Sequence, residues 1–538
     1  MCGITFYKIE NDIIDNSEMY NKFMKTSHRG PDNSCIYQDD EIFMGFHRLS
    51  INDVSNNGNQ PFSSDNIYMI CNGEIYNSEY LKKKYNIQTD SESDCEIVLQ
   101  LYKKIGFYNT ITELDGVFAI ILIDKSIPTD IKIFASRDII GVRSMYFGYD
   151  KNEQGMITNF GFTSELKGLI GIFSNVEQFK PSCIWSNQNF DYQCYYNKDI
   201  IYRKNCYTDV LDIKRNVSKL LENAIDKRLM SDQPIGCLLS GGLDSSIVAA
   251  LLNKKYNNLH TFSIGLEGST DLKYAKMVAD HLNTIHHEVI VTENEMLNAI
   301  KDDIYYIETY DTTTIRASTP MMLLSKYIQK HTNIKVIYSG EGSDEASGSY
   351  LYFHNAPNET LFRDETIRLI NDLSYFDVLR CDKSVAAAGL EVRVPFLDKQ
   401  FLEYYMNICP SLKIPSYGNI EKYLLRITFS EGEYANLLPS DVIRRTKEGM
   451  SDGVSSLKRG WFEIIQEYAN KIYTVNDFES KKQNYTFNKP RTREQLWFRE
   501  LFDSFFPNCE QTVPYYWLPK WSGNITEASA RVLNVYKQ

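Results

Sequence analysis

The chain has 538 residues, a formal net charge of −12, 43% hydrophobic and 24% charged residues, and no long Lys/Arg run. That balance excludes a nucleic-acid-binding surface, and no uninterrupted apolar stretch approaches the roughly 18 residues that span a bilayer. An acidic surface does not exclude ATP, because phosphates are held by local backbone amides rather than by global charge. Glu10, Asp12 and Asp15 break any apolar core of a secretory signal. The cysteines number eleven, an odd count without a CxxC pair. They indicate neither a disulfide framework nor a structural zinc site, and the expected setting is a reducing cytoplasm.

The chain opens Met1-Cys2-Gly3-Ile4. Removal of Met1 leaves Cys2 with a free α-amine beside its thiol, and reference pKa values of about 7.7–8.0 and 8.5 let the amine take the thiol proton. This is the cysteine counterpart of an N-terminal threonine nucleophile. Alone, a cysteine at position 2 is most simply chance. A helical pattern over residues 17–26 leads into the turn-rich Ser27-His28-Arg29-Gly30-Pro31-Asp32, and a β-rich run at 42–51 carries Arg48. A further run at 68–71 ends on Asn72-Gly73, where an amide side chain and a glycine N–H can point at one oxygen. A helix over 92–105 starts with Ser93-Asp94, and strands follow at 117–124 and 131–136. The bland readings are a helix cap for Asp94, a hairpin turn for Asn72-Gly73 and a solvated charge for Arg48. The mixture predicts an α+β layered domain with mainly antiparallel sheets.

The stretch 195–205 lacks periodicity and is the expected join, giving domains 1–205 and 206–538. Beyond it strands and helices alternate: strand 235–239, helix from Leu243, strand 261–265, helix 271–282, strand 288–291, helix 296–307, strand 335–338. Such alternation predicts an α/β domain with a parallel sheet. Ser240-Gly241-Gly242-Leu243-Asp244-Ser245-Ser246 leaves the first strand and opens a helix, which suits an anion, and it lacks the lysine of a Walker A loop. Ser339-Gly340-Glu341-Gly342-Ser343-Asp344-Glu345 leaves the last strand, so both Ser-Gly doublets should meet at the carboxyl edge of one sheet. Carboxylates beside a phosphate nest argue for Mg²⁺ held through Asp244 and Asp344, with Glu345 read as an acidic, solvated loop residue.

Met-Cys-Gly-Ile, His-Arg-Gly-Pro-Asp, His-Arg-Leu, Asn-Gly-Glu-Ile-Tyr-Asn and Ser-Asp-Cys-Glu occur in the order used by class II glutamine amidotransferases. The first half resembles, more narrowly, the glutaminase domain of glutamine-hydrolysing asparagine synthetases. The resemblance implies a layered αββα N-terminal-nucleophile hydrolase fold. Cys2 is then the nucleophile that forms a thioester, and Asn72 and Gly73 are oxyanion donors. Arg48 becomes the clamp for the glutamine carboxylate, Leu49, Ser50, Ile51 and Asn52 line the pocket, and Asp94 and Glu74 face the substrate ammonium.

The second half resembles the same family's ATP-pyrophosphatase-type domain through Ser240–Ser246, Glu308-Thr309-Tyr310-Asp311, residues 389–398, Lys447-Glu448 and the tail Tyr516-Trp517-Leu518-Pro519-Lys520-Trp521. The tail and Gly45-Phe46-His47-Arg48 favour the eukaryotic type. Carried over, Leu238, Ser240, Gly241, Gly242, Asp244, Ser245, Ile264, Ser339 and Gly340 hold ATP. Glu341 serves the β-aspartyl-AMP step and Lys447 neutralises phosphate charge, while Arg393 and Asp398 either support the site from behind its contact residues or are structural. Ser349, Ser144 and Thr446 stand where the family usually has other residues.

The implied reaction makes asparagine from aspartate, ATP–Mg²⁺ and glutamine or ammonia. It involves no nucleic acid or membrane partner and leaves a homodimer open. The rivals are a β-lactam-synthetase-like cyclase, which typically lacks the N-terminal cysteine, and a silent aspartate- or ATP-sensing protein.

Overall fold

A computed structural model describes the protein at residues 1–9, 16–197 and 206–537. The chain forms two compact units, one of residues 1–197 with 230–234 and 385–391, the other of 198–229, 235–384 and 392–538. The join expected at 195–205, with its boundary at 205/206, falls largely on residues 198–205, outside the described residues.

The first unit contains two six-stranded antiparallel sheets. One runs Asn175–Gln178, Tyr146–Lys151, Ile157–Thr163, Gly3–Lys8, Ile42–Arg48, Asn33–Gln38. The other runs Asp191–Cys194, Cys183–Ser186, Lys132–Arg137, Gly116–Asp124, Ile67–Ile75, Phe62–Ser64. Strand Gly116–Asp124 reads as a continuous apolar run because both of its faces are covered. Ala119, Ile121 and Ile123 pack into a core shared with Ile4, Phe6 and Phe162 of the first sheet, while Phe118, Ile120 and Leu122 join the core beneath helix Ile97–Ile105. On the outer side of the first sheet, Phe23 of helix Asn16–Met24 stacks on His47 at 3.8 Å. The order is therefore helix, sheet, sheet, helix.

The expected strand at 68–71 extends over Ile67–Ile75. This corrects the placement of Asn72 and Gly73. They lie inside the strand, paired with Ala119 and Phe118, not at its end or in a hairpin turn. The expected helix at 92–105 begins as a short 3₁₀ turn, Asp94–Glu96, whose cap is Ser93, accepting from the Cys95 amide.

The second unit is built on parallel strands in the order Ile285–Val291, His260–Leu266, Ile235–Leu238, Val336–Tyr338, with a short fifth strand ending at Arg393. Helices Leu243–Asn253, Thr270–Leu282 and Glu293–Ile307 connect them as the alternation predicts. Thr292 and Glu295 close a capping box on the third. Helix Thr312–His331 has no counterpart in the expected elements. Its Thr, Ser and Pro content masks a helical pattern, yet nearly its whole circumference is buried. Several of its hydroxyls are paired, Thr319 Oγ1 with the Ile315 carbonyl at 2.9 Å and with Asp303 at 3.0 Å, while those of Thr312 and Thr313 are buried without a protein partner.

Two candidate active sites

In the first unit, strand alternation decides which side chains meet. Ile70, Asn72 and Glu74 share one face of strand Ile67–Ile75, and Ile70 lies in the inter-sheet core to which Cys2 also packs. Cys2 Sγ accepts from the Leu49 amide at 3.4 Å, and Arg29 Nε fixes the Cys2 carbonyl at 3.0 Å. Both atoms of the Asn72 side-chain amide are buried without a protein partner. A buried amide left unpaired in a resting site is what a donor awaiting an oxyanion looks like.

Glu74 and Asp94 converge on Asn52, whose Nδ2 donates to them at 2.7 and 3.1 Å, and Asp94 Oδ2 takes the Ile75 amide at 2.6 Å. Asp94 is 4% exposed, and burial pushes its carboxyl up from the usual range. Arg48 is not a solvated charge. Its Nη1 donates to Ser55 O at 2.6 Å and Asn59 Oδ1 at 2.9 Å, and its Nη2 donates to Asp53 O. Three acceptors for five N–H groups leave donors for a carboxylate. Around it, the Ser50 amide binds Asp32 at 2.8 Å and the Ile51 carbonyl accepts from the Asp232 amide.

Met1 is 1% exposed, and its ammonium donates to the Leu390 carbonyl at 3.2 Å. Burial pushes this amine down to about 5 and the Cys2 thiol up to about 11. With Met1 in place the thiol has neither an adjacent base of its own nor a thiolate population near neutral pH.

In the second unit the two Ser-Gly loops leave neighbouring parallel strands at their carboxyl ends, as expected. Gly241 has φ +69°, and a Cβ there would stand 2.3 Å from the Ala275 nitrogen. A Cβ on Gly340 would stand 2.8 Å from the Ser245 nitrogen, so glycine allows the two loops to touch. The cavity above them is lined by Leu238, Ser240, Gly242, Asp244, Ser245, Ile264, Ser339 and Gly340, together with Glu341, Asp344 and Lys447. Of the expected nucleotide residues, Gly241 shapes the loop without lining the cavity.

The sequence reading missed Lys422. Its Nζ, 2% exposed, binds both Asp244 and Asp344, the latter at 2.6 Å, and Lys447 binds the other Asp344 oxygen at 2.5 Å. Burial alone would raise Asp344, but these two ammonium groups outweigh it and hold the carboxyl well below its usual range. The carboxylates are thus neutralised by lysines, so charge repulsion by itself does not require a metal ion. Nothing local marks Lys422, which lies 178 residues from Asp244 in sequence. Arg445 was missed too. It reaches the Ser240 carbonyl at 3.1 Å and Asp271 at 2.6 Å.

Ser349 donates to Asp344 Oδ1 at 2.5 Å. Glu341 accepts from Arg380 at 2.7 Å, and burial outweighs that guanidinium to push its carboxyl up to about 7. Glu345 is not solvated. It is 1% exposed, and burial with Asp377 and Asp344 nearby pushes it well above the usual range. Asp398 caps helix Lys399–Met406 and pairs with Arg228 at 2.8 Å, and Arg393 binds the Arg228 carbonyl, so both are tied into packing.

A family profile described as a glutamine amidotransferase domain matches residues 1–203, and one described as asparagine synthase matches 216–364 and 355–531. The chain is 41% identical to a protein of Acanthamoeba polyphaga mimivirus named "Probable asparagine synthetase [glutamine-hydrolyzing]", over 99% of this chain and 100% of that one. It is 41% identical to the asparagine synthetase [glutamine-hydrolyzing] of Gallus gallus over 96% of this chain and 95% of that one. The Homo sapiens enzyme of the same name is 39% identical over 100% of this chain and 99% of that one. No helix among the described residues is long and apolar enough to cross a membrane. The chain belongs to the glutamine-hydrolysing asparagine synthetases.

Proposed function

We propose that the chain makes L-asparagine from L-aspartate with glutamine as nitrogen donor and ATP as energy source, in two chemically separate steps. The stacked antiparallel sheets of the first unit support an N-terminal-nucleophile hydrolase fold. The parallel sheet with its Ser-Gly loops supports an ATP-pyrophosphatase fold. Met1 is buried in the described structure. Glutaminase activity on this reading requires that Met1 be removed.

Freed of Met1, Cys2 carries its own amine base. The thiolate attacks the side-chain carbonyl of glutamine, the Asn72 amide and Gly73 N–H receive the oxyanion, and the C–N bond breaks with ammonia leaving. Water then cleaves the thioester to glutamate. Arg48 holds the substrate carboxylate, Asp94 and Glu74 its ammonium, and residues 49–52 the wall of the pocket.

In the second unit the β-carboxylate of aspartate attacks the α-phosphorus of ATP, and pyrophosphate leaves. Ammonia then displaces AMP from the β-aspartyl adenylate, with Glu341 taking the proton shed by the nitrogen. Lys422 and Lys447, now on Asp344, can turn their charge onto phosphate oxygens. Asp244 and Asp344 converge on one point of positive charge, so they fit Mg²⁺ once ATP draws Lys422 away. Such an ion would neutralise phosphate charge.

The observation that carries this reading is the orphaned Asn72 amide on the face that meets Cys2, since a cyclase or a silent sensor has no use for it. The test is product analysis with aspartate and ATP–Mg²⁺. Asparagine and AMP are expected with glutamine and with ammonium chloride. No AMP from either refutes the synthetase assignment, and asparagine from ammonium alone refutes the glutaminase.

A further inference from the structure

Glu341, Glu345 and Asp377 each offer a carboxylate oxygen, and the three oxygens lie within 4.8 Å of one another. Glu345, on the short helix Ser343–Ser347, accepts from the Tyr350 hydroxyl through Oε1 at 2.5 Å. Its other oxygen, Oε2, is buried without a protein partner. Arg380 Nη2 is the one cationic donor to this group among the described residues, reaching Glu341 Oε1 at 2.7 Å and Asp377 Oδ1 at 3.0 Å. Three carboxylates thus face one guanidinium. The neighbouring pair, Asp244 and Asp344, is matched by Lys422 and Lys447. An unmatched negative charge in a buried place is costly, and it is relieved either by a proton on the carboxyl or by a further cation, for which the unpartnered Glu345 Oε2 leaves an acceptor.

We propose that Glu341, Glu345 and Asp377 form a binding site for a substrate ammonium group, with Glu345 and Asp377 as positioning residues. Oxygens hydrogen-bonded at about 2.8 Å to one tetrahedral nitrogen stand about 4.6 Å apart, a span these three carboxylates accommodate. An ammonium is a compact group of several donors. Glu341, Asp377, Arg380 and Tyr350 line the cavity that the Ser-Gly loops also line, so the bound nitrogen lies in the chamber where adenylation is proposed.

The inference rests on the synthetase reading and assigns its nitrogen-binding subsite. Two sources carry the required group: the α-ammonium of aspartate and the incoming ammonium.

The test compares the wild-type chain with Glu345→Gln and Asp377→Asn. Exchange of labelled pyrophosphate into ATP needs aspartate but no ammonia, and its occurrence in the wild type establishes adenylation independently of this proposal. Calorimetry with a non-hydrolysable ATP analogue measures binding of aspartate and of succinate, which lacks the amine. If the site takes the α-ammonium, Kd and KM for aspartate rise about 10- to 100-fold in both variants, the loss expected for a charged hydrogen-bond partner, while succinate binding stays put. If it takes the nitrogen donor, aspartate binding and exchange stay put and KM for ammonium chloride rises by a similar factor. Calorimetric binding of the ATP analogue, which takes place in the substituted unit, reports that each variant is folded, and if one variant fails that check the other decides. The proposal is overturned if neither KM moves beyond about twofold. It is equally overturned if Mn²⁺ binds in the absence of ATP with a stoichiometry that the Glu345→Gln change reduces.

Discussion

Asn72→Ala separates the catalytic use of an amide from a structural one. The side chain is 1% exposed, yet neither its nitrogen nor its oxygen bonds to the protein. Truncation therefore breaks no protein–protein hydrogen bond. Its cost should fall well below the about 1–3 kcal/mol that follows when a buried group loses its partner. The thermal unfolding midpoint should move by less than about 2 °C. Removal of one preorganised oxyanion donor, by contrast, costs about 2.7–4 kcal/mol in the transition state, a fall of about 10²–10³ in kcat. The assay is glutamate release at saturating glutamine, run beside ammonium-dependent asparagine formation, which should be unchanged. Glutaminase kcat within about threefold of wild type would refute the oxyanion assignment. A fall of many degrees in the midpoint would show that the amide serves the fold.

Cys2→Ala should abolish glutamine-dependent synthesis and leave ammonium-dependent synthesis intact, and loss of both activities would contradict two separate sites. Lys422→Met removes the charge shared by Asp244 and Asp344, and adenylation measured by pyrophosphate exchange should fall by about 10²-fold or more while glutamine hydrolysis persists. Asp303 is fully buried, and burial outweighs the Ser318 and Thr319 hydroxyls to push its carboxyl up to about 7. Because its folded pKa is raised, the unfolded chain gives up this proton first, so the group lowers stability progressively from about pH 4 to about 7 and stays destabilising above that. Asp303→Asn should raise the unfolding midpoint at pH 8 and flatten its decline between pH 4 and 7. An unchanged pH profile would refute the burial argument.

Residues close in sequence that form one loop were legible without a structure. Ser240–Ser245 and Ser339–Asp344 in the second half are such loops. Cys2, Arg48, Asn72-Gly73 and Asp94 in the first each read singly as chance, a solvated charge, a turn and a cap, and only the resemblance carried by their order along the chain singled them out. The alternation of strand and helix after residue 235 was legible too, because a parallel sheet needs long crossovers and leaves a periodic record. Strand Ile67–Ile75 was found but cut short, since Asn-Gly reads locally as a turn and only pairing with Gly116–Asp124 keeps it extended. Helix Thr312–His331 was not found at all, because its Ser, Thr and Pro residues hide an apolar period, several of its hydroxyls bond back to the helix, as Thr319 with Ile315 O, and its circumference is covered by tertiary packing.

The charge pattern of the synthetase cavity belongs to the tertiary structure alone. Lys422 reaches Asp244 across 178 residues, Arg380 reaches Glu341 across 39, and Glu345, polar enough to suggest solvent, is enclosed. Local sequence sets what a segment can do with its own backbone: make a nest, cap a helix, offer a nucleophile. Which charges face one another, and whether water can reach them, depends on chain folding over long separations, and no short-range pattern encodes that.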